Sequence, residues 1–153
     1  MLKAGRQADR LAFMQSGIIR EFVLLEDKDI TKWICTEGYF VLDMASFMFR
    51  VPARWNYQAL TDCELFVLDH KDYINMGQHI KEWSELEKRF ISKCFMVLED
   101  RVITHLAMTA QERYQHLFNY NPYLFNQVPL QYLASMLGIT PETLSRLRKK
   151  GAH

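Results

Sequence analysis

Before residue 70 the apolar positions come in short runs separated by turn signals. After residue 84 they recur at helical spacing. Gly17 opens the run Ile18-Ile19-Arg20-Glu21-Phe22-Val23-Leu24-Leu25, polar Glu26-Asp27-Lys28-Asp29 closes it, and Ile30 to Cys35 follows. This pattern predicts a hairpin with a four-residue loop. Glu37-Gly38 marks the next turn, before Tyr39 to Leu42. Trp55, Tyr57 and Ala59 alternate with Asn56 and Gln58, as on a half-buried strand, and Thr61-Asp62 precedes a last run from Glu64 to Leu68. Short strands this closely spaced predict a small sandwich or barrel.

Ser84 to about Ala110 reads as one long helix with two apolar stripes. The first holds Leu86, Phe90, Cys94, Val97, Arg101, Thr104 and Met108, at steps of three or four that alternate from Phe90 onward. The second holds Ile91, Phe95, Leu98, Val102 and Leu106. One stripe suffices to pack a surface helix, so two require burial on two sides. Two arrangements satisfy that: a central helix inside a single core, or a helix with one face on its own barrel and the other on the identical helix of a partner. The coiled-coil-like spacing of the first stripe favours the partner arrangement, a homodimer with Leu86, Phe90, Val97, Arg101, Thr104 and Met108 at its seam.

Beyond Gln111 the helical patterns shorten, and Asn119 to Pro122 breaks the first of them. Leu130, Leu133, Ala134 and Leu137 fall on one apolar face, with Pro129 suited to the first helical position and Gly138 to a left-handed ending. Thr140 then reads as an N-cap, with Pro141 opening a second helix whose inward face is Leu144 and Leu147. Two short helices joined by a Gly-containing turn form the helix-turn-helix pattern. Small Ala134 suits the point where the two helices cross. The outward face of the second helix carries Glu142, Ser145, Arg146 and Lys149. From Pro129 to His153 there are four basic residues against one acidic, the basic ones being Arg146, Arg148, Lys149 and Lys150. A solvated helix end complementing its own dipole is the plain alternative. Patterning, turn chemistry and basic face together favour DNA.

The run Val128-Pro129-Leu130 through Leu137-Gly138-Ile139-Thr140-Pro141-Glu142-Thr143-Leu144-Ser145-Arg146 resembles the helix-turn-helix of the CRP/FNR family of bacterial transcription regulators, in particular its Bacteroidetes-type members. Leu98-Glu99-Asp100-Arg101 and Ala110-Gln111-Glu112-Arg113-Tyr114 resemble the end of that family's dimerisation helix and the start of its next helix. The resemblance implies an α+β fold in three parts. Residues 1–83 would be an effector-sensing-like β-barrel of cyclic-nucleotide-binding jelly-roll type, 84–110 a dimerisation helix, and 111–153 a DNA-binding domain. It further implies a homodimer on an inverted-repeat operator, contacted through Thr140, Glu142, Thr143, Ser145, Arg146, Lys149 and Lys150. Glu142 and Arg146 stand at the base-reading positions. Pro141 replaces a basic residue that many members carry. RNA polymerase is a further partner that the resemblance leaves open.

The same likeness implies a phosphate cassette, a Gly-Glu pair followed about ten residues later by Arg and then Ser or Ala. Leu42-Asp43 and Ala53-Arg54 occupy those positions. Gly has become Leu, Glu has shortened to Asp, and the Arg is displaced by one residue, which on a strand turns it to the other face. The cassette is degenerate, so no cyclic AMP binding is expected, although Arg50 is placed to rescue an anion site. Ala4 to Phe13 resembles a point well inside the family's barrel. A barrel starting there would lack its leading helix and first strand and be open at one edge, a pairing or aggregation site.

At 153 residues the chain has room for one ordinary domain or two small ones, and its net charge of +1 announces no partner. Widely spaced Cys35, Cys63 and Cys94 give no disulfide framework and read as buried thiols in a reducing compartment. Met1 to Arg10 carries no apolar run of a signal peptide, and no stretch is long enough for a spanning helix. A soluble cytoplasmic protein without a membrane partner is expected. His70, His79, His105 and His116 show no metal-ligand spacing, and Met1 to Leu68 contains no His. With no Gly-rich phosphate loop and no nucleophile elbow, neither an enzyme nor a metal or other cofactor is expected. The remaining alternative is a degenerate sensor that dimerises and binds a protein or small ligand without touching DNA.

Overall fold

The computed structural model describes residues 2–26 and 28–151. Asp27 of the anticipated hairpin loop, and Ala152 and His153 at the end of the anticipated DNA-binding domain, lie outside the described residues. The chain divides into two compact units, one ending at Lys81 and the other beginning at Glu82.

The first unit contains strands β1 (Arg10–Ser16), β2 (Ile19–Leu24), β3 (Asp29–Cys35), β4 (Phe40–Val41), β5 (Asn56–Ala59) and β6 (Glu64–Asp69), with helices α1 (Met44–Phe49) and α2 (His70–His79). The anticipated hairpin is β2–β3, antiparallel, pairing Ile19 with Cys35 and Leu24 with Asp29. Sheet order is β4-β1-β6 and β3-β2-β5, all pairs antiparallel. Among the described residues these are two separate three-stranded sheets, so the expected barrel is not closed by strand pairing. Strand β1 was not anticipated. Its continuous Leu11-Ala12-Phe13-Met14 shows no apolar-polar alternation in the sequence, although Ala12 and Met14 are buried and Leu11 and Phe13 half-buried. Helix α1 was not anticipated either. At six residues it is too short for a periodic pattern and depends on its cap.

Met14, Ile19, Cys35 and Tyr57 form the core of this unit, with Leu2, Trp33, Tyr39 and Trp55 packed around them. Tyr57 is buried as β5 requires, but Ala59 is exposed, so the expected alternation stops there. Gly17 has φ +94°, and a Cβ there would collide with the Asp62 carbonyl oxygen. The chain can make this close approach only with glycine. Of the three thiols expected to be buried, only Cys35 is; Cys63 is partly buried and Cys94 is exposed. Burial, with the Glu21 carboxylate nearby, pushes the Cys35 thiol up to about 12.

The second unit contains α3 (Trp83–Ala107), α4 (Ala110–Tyr120), α5 (Leu124–Gln127), α6 (Leu130–Leu137) and α7 (Pro141–Gly151). No residue of α3 is buried. Helix α3 also ends earlier than expected. Met108 is its C-cap, in extended conformation, just beyond the helix that carries the rest of the stripe. The chain breaks there because Thr109 starts α4 with a capping box, in which Glu112 accepts from the Thr109 amide at 2.7 Å and the Glu112 amide donates to the Thr109 hydroxyl at 3.3 Å. The rings of Tyr114, Phe118 and Phe125 pack with centroids 5.4 to 5.9 Å apart. No helix among the described residues is long and apolar enough to cross a membrane.

Candidate nucleic-acid interface

Helix α6 buries Leu133, Ala134, Met136 and Leu137 and leaves Leu130 half-buried. Ala134 is fully buried, consistent with its expected place at the helix crossing. Pro129 stands one position earlier than expected. It caps the helix with ψ 134°, and its carbonyl accepts the Tyr132 amide at 2.9 Å. Gly138, at φ 66° and ψ 36°, ends the helix as expected. The Ile139 amide reaches back to Ala134 O at 3.0 Å and the Gly138 amide to Ser135 O at 3.1 Å, the paired bonds of a Schellman ending.

That ending leaves the last two carbonyls of α6 to find other donors, and basic side chains supply them. Arg101 Nη2 donates to Met136 O at 3.1 Å, and His105 Nε2 lies 3.2 Å from the same oxygen. Arg113 Nε donates to Leu137 O at 2.9 Å, while its Nη1 donates to Met108 O at 2.7 Å. Arg101 was expected at the dimer seam. Within the chain its guanidinium meets a helix end, which suits a cation because carbonyl dipoles converge there. No sequence signal marks these bonds, since a backbone acceptor carries no residue type.

Helix α7 starts as expected. The Thr140 hydroxyl accepts the Thr143 amide at 3.2 Å, Pro141 takes the first helical position, and Leu144 is fully buried. Leu147 is half-buried. The outward side chains Glu142, Arg146, Lys149 and Lys150 are exposed, and Thr143 and Ser145 are half-buried. Glu142, Ser145, Arg146 and Lys149 line one open groove of about 490 Å³, together with Leu130 and Pro141. Thr140, Thr143 and Lys150 do not line it. Glu142's own backbone amide, and then the Thr140 hydroxyl, hold its carboxyl below the usual carboxylate range. The groove therefore presents one anionic acceptor beside two cations at neutral pH.

The expected seam residues Leu86, Phe90, Val97 and Thr104 lie on α3. Leu86 and Val97 are exposed, Phe90 is half-buried, and the Thr104 hydroxyl donates to Asp100 O at 2.7 Å.

The degenerate cassette lies in the first unit and is closed on itself. Asp43 is buried and caps α1. Its Oδ1 accepts the Ser46 amide at 3.1 Å, and its Oδ2 accepts the Arg54 amide at 2.7 Å and the Trp55 amide at 3.3 Å. Leu42 is half-buried, Ala53 is buried, and Arg54 is exposed with its guanidinium 5.5 Å from the Trp55 ring. Arg50, the residue expected to be placed to rescue an anion site, is engaged within the chain. It donates to Ala8 O at 3.0 Å and pairs with Asp9.

No family model matches the sequence, and no curated protein matches it. Solved structures do match. FixK2 from Bradyrhizobium japonicum aligns with a TM-score of 0.82 at 17% identity, over 98% of this chain and 78% of its own. A putative transcriptional regulator of the crp/fnr family from Eubacterium rectale aligns with a TM-score of 0.71 at 15% identity, over 94% and 69%. CLP, a c-di-GMP responsive global regulator from Xanthomonas campestris, aligns with a TM-score of 0.66 at 17% identity, over 98% and 80%. The fold is therefore that of CRP/FNR family regulators across nearly the whole chain, an α+β fold with antiparallel sheets preceding the helices.

Proposed function

We propose that this chain is a homodimeric, sequence-specific DNA-binding regulator in the cytoplasm, and that it does not respond to cyclic AMP. The observation that carries the reading is the groove on α7. A capped helix start, a charged acceptor at Glu142 and two cations at Arg146 and Lys149 share one open face. A recognition helix needs base-reading groups near its start and phosphate-binding cations beside them. Arg146 is suited to guanine and Glu142 to a cytosine amino group. Thr140, Thr143 and Ser145 serve register on the backbone, and Lys149 and Lys150 contact phosphates.

The three-part division by role belongs to the same proposal: residues 1–83 as a sensing-like jelly roll, 84–110 as the dimerisation helix, 111–153 as the DNA-binding domain. Apolar side chains exposed along α3, Leu86 and Val97 among them, support a partner helix there. The Asp43 contacts support the loss of cyclic AMP binding, because the carboxylate standing at the cassette's Glu position is buried and taken up by three backbone amides. The test is a binding titration of the full chain against selected and random duplexes at several salt concentrations. A preference for the selected duplex, with a salt slope of about 0.9 per phosphate contact, supports the reading. Binding to neither duplex overturns it in favour of a degenerate sensor with a protein or small-molecule partner.

A further inference from the structure

Helix α7 contributes the reading side chains, but its position is inherited from α6, and the end of α6 is held by other elements. Four successive carbonyls close that end. Ala134 O and Ser135 O are taken by the turn, and Met136 O and Leu137 O by side chains from α3 and α4. Arg113 is the pivotal donor, since one guanidinium joins Leu137 O of α6 to Met108 O at the end of α3. Arg101 brings the neighbouring carbonyl to α3. His105 adds to it, with Nδ1 3.0 Å from Arg101 O and Nε2 3.2 Å from Met136 O. A neutral imidazole donates through one nitrogen only, whereas Arg101 donates in either case, so the grip on Met136 does not depend on the His105 ring.

We propose that Arg101 and Arg113 are positioning residues for DNA recognition. They clamp the C-terminal carbonyls of α6 to α3 and α4 and so fix the angle at which α7 is presented. This rests on the DNA-binding reading of α7. The fork geometry of guanidinium suits the task, because it can bond two carbonyls on different helices while remaining planar. The clamp also gives the end of α3 a direct mechanical tie to the reading helix. A shift of the C-terminal end of α3 that carries both Arg101 and Met108 would carry the α6 carbonyls with it.

The experiment compares wild type, Arg113→Met, Arg113→Lys and Arg101→Gln in the full chain. It reads amide hydrogen exchange at residues 138–144 without DNA, then affinity and salt slope on selected and random duplexes. Exchange should quicken at least tenfold in Arg113→Met. Affinity for the selected duplex should fall about tenfold, with the salt slope unchanged, because no phosphate contact is lost. Lysine should restore part of both effects by reaching one of the two carbonyls. Arg101→Gln should show the same direction to a smaller degree, and it carries the test if Arg113→Met does not fold. Unchanged exchange in the folded variants overturns the clamp. So does a salt slope reduced by about one contact, which would make the arginine a phosphate ligand. If wild type binds no duplex, the DNA reading fails while the exchange measurement still judges the clamp.

Discussion

The cassette around Asp43 and the face of α7 around Arg146 are built from the same materials, a capped helix start with charged side chains nearby, and they end in opposite states. In the cassette the carboxylate at Asp43 turns inward and Arg50 is paired, while Arg54 stays exposed. Asp43 takes three amides, and Arg50 ties down Ala8 and Asp9. On α7 the cap needs only the Thr140 hydroxyl, and Glu142, Arg146 and Lys149 are left facing solvent across one groove. Local sequence motifs alone do not separate the two cases. What separates them is whether a neighbouring carboxylate has already taken the donors a ligand would need.

The largest effect is expected at the exposed stripe of α3. Val97→Asp would place a charge in the proposed seam and should cost several kcal/mol of dimer stability, on the order of that for an unpaired buried charge. Analytical ultracentrifugation should find a dimer for wild type and a monomer for the variant at micromolar concentration. A monomeric wild type would remove the seam.

Asp43→Ala tests the closed half. Losing a buried carboxylate that accepts three amides should lower unfolding stability by about 3 kcal/mol, a large single-site effect. Denaturant unfolding measures it. A change below about 0.5 kcal/mol would mean that the cassette amides find other partners.

On the open half, Arg146→Ala should cost about 1–3 kcal/mol per half-site and relax preference at one base position. Equal weakening on selected and random duplexes would assign Arg146 to phosphate instead.

A smaller effect concerns acid. The hydrogen bond from buried Arg20 holds the Asp29 carboxyl below the usual carboxylate range, against a weaker effect of burial. The folded value lies below the unfolded one, so this stabilisation is complete above the unfolded value. It is lost as pH falls through the folded value. Melting temperatures between pH 6 and pH 2 should therefore fall more gently in Asp29→Asn than in wild type. Parallel acid limbs would contradict the assignment.

The parts legible in the sequence are those whose signals are local. Gly138, Thr140 and Pro141 spell out the turn and the start of α7, and the polar loop after Leu25 separates β2 from β3. Strand β1 was hidden because both its faces are apolar, and six-residue α1 because its Asp43 cap looked like a remnant of ligand chemistry. The overrun at Met108 had a visible correction in Thr109-x-x-Glu112, which starts a new helix. The clamp was not legible. Arg101 falls on an apolar stripe at seam spacing, and only the fold shows that its partner is the Met136 carbonyl.

The central claim is that the outward face of α7 reads DNA as half of a two-fold pair. The most direct measurement is selection of bound duplexes from a random-sequence pool by the wild-type chain, with Arg146→Ala selected in parallel. The expected result is an inverted repeat with half-site centres about one helical turn, roughly 34 Å, apart. One position in each half-site should lose its preference in the variant, and the outcome should be the same with or without cyclic AMP. No enriched sequence, or an enriched sequence without two-fold symmetry that Arg146→Ala leaves unchanged, would contradict it.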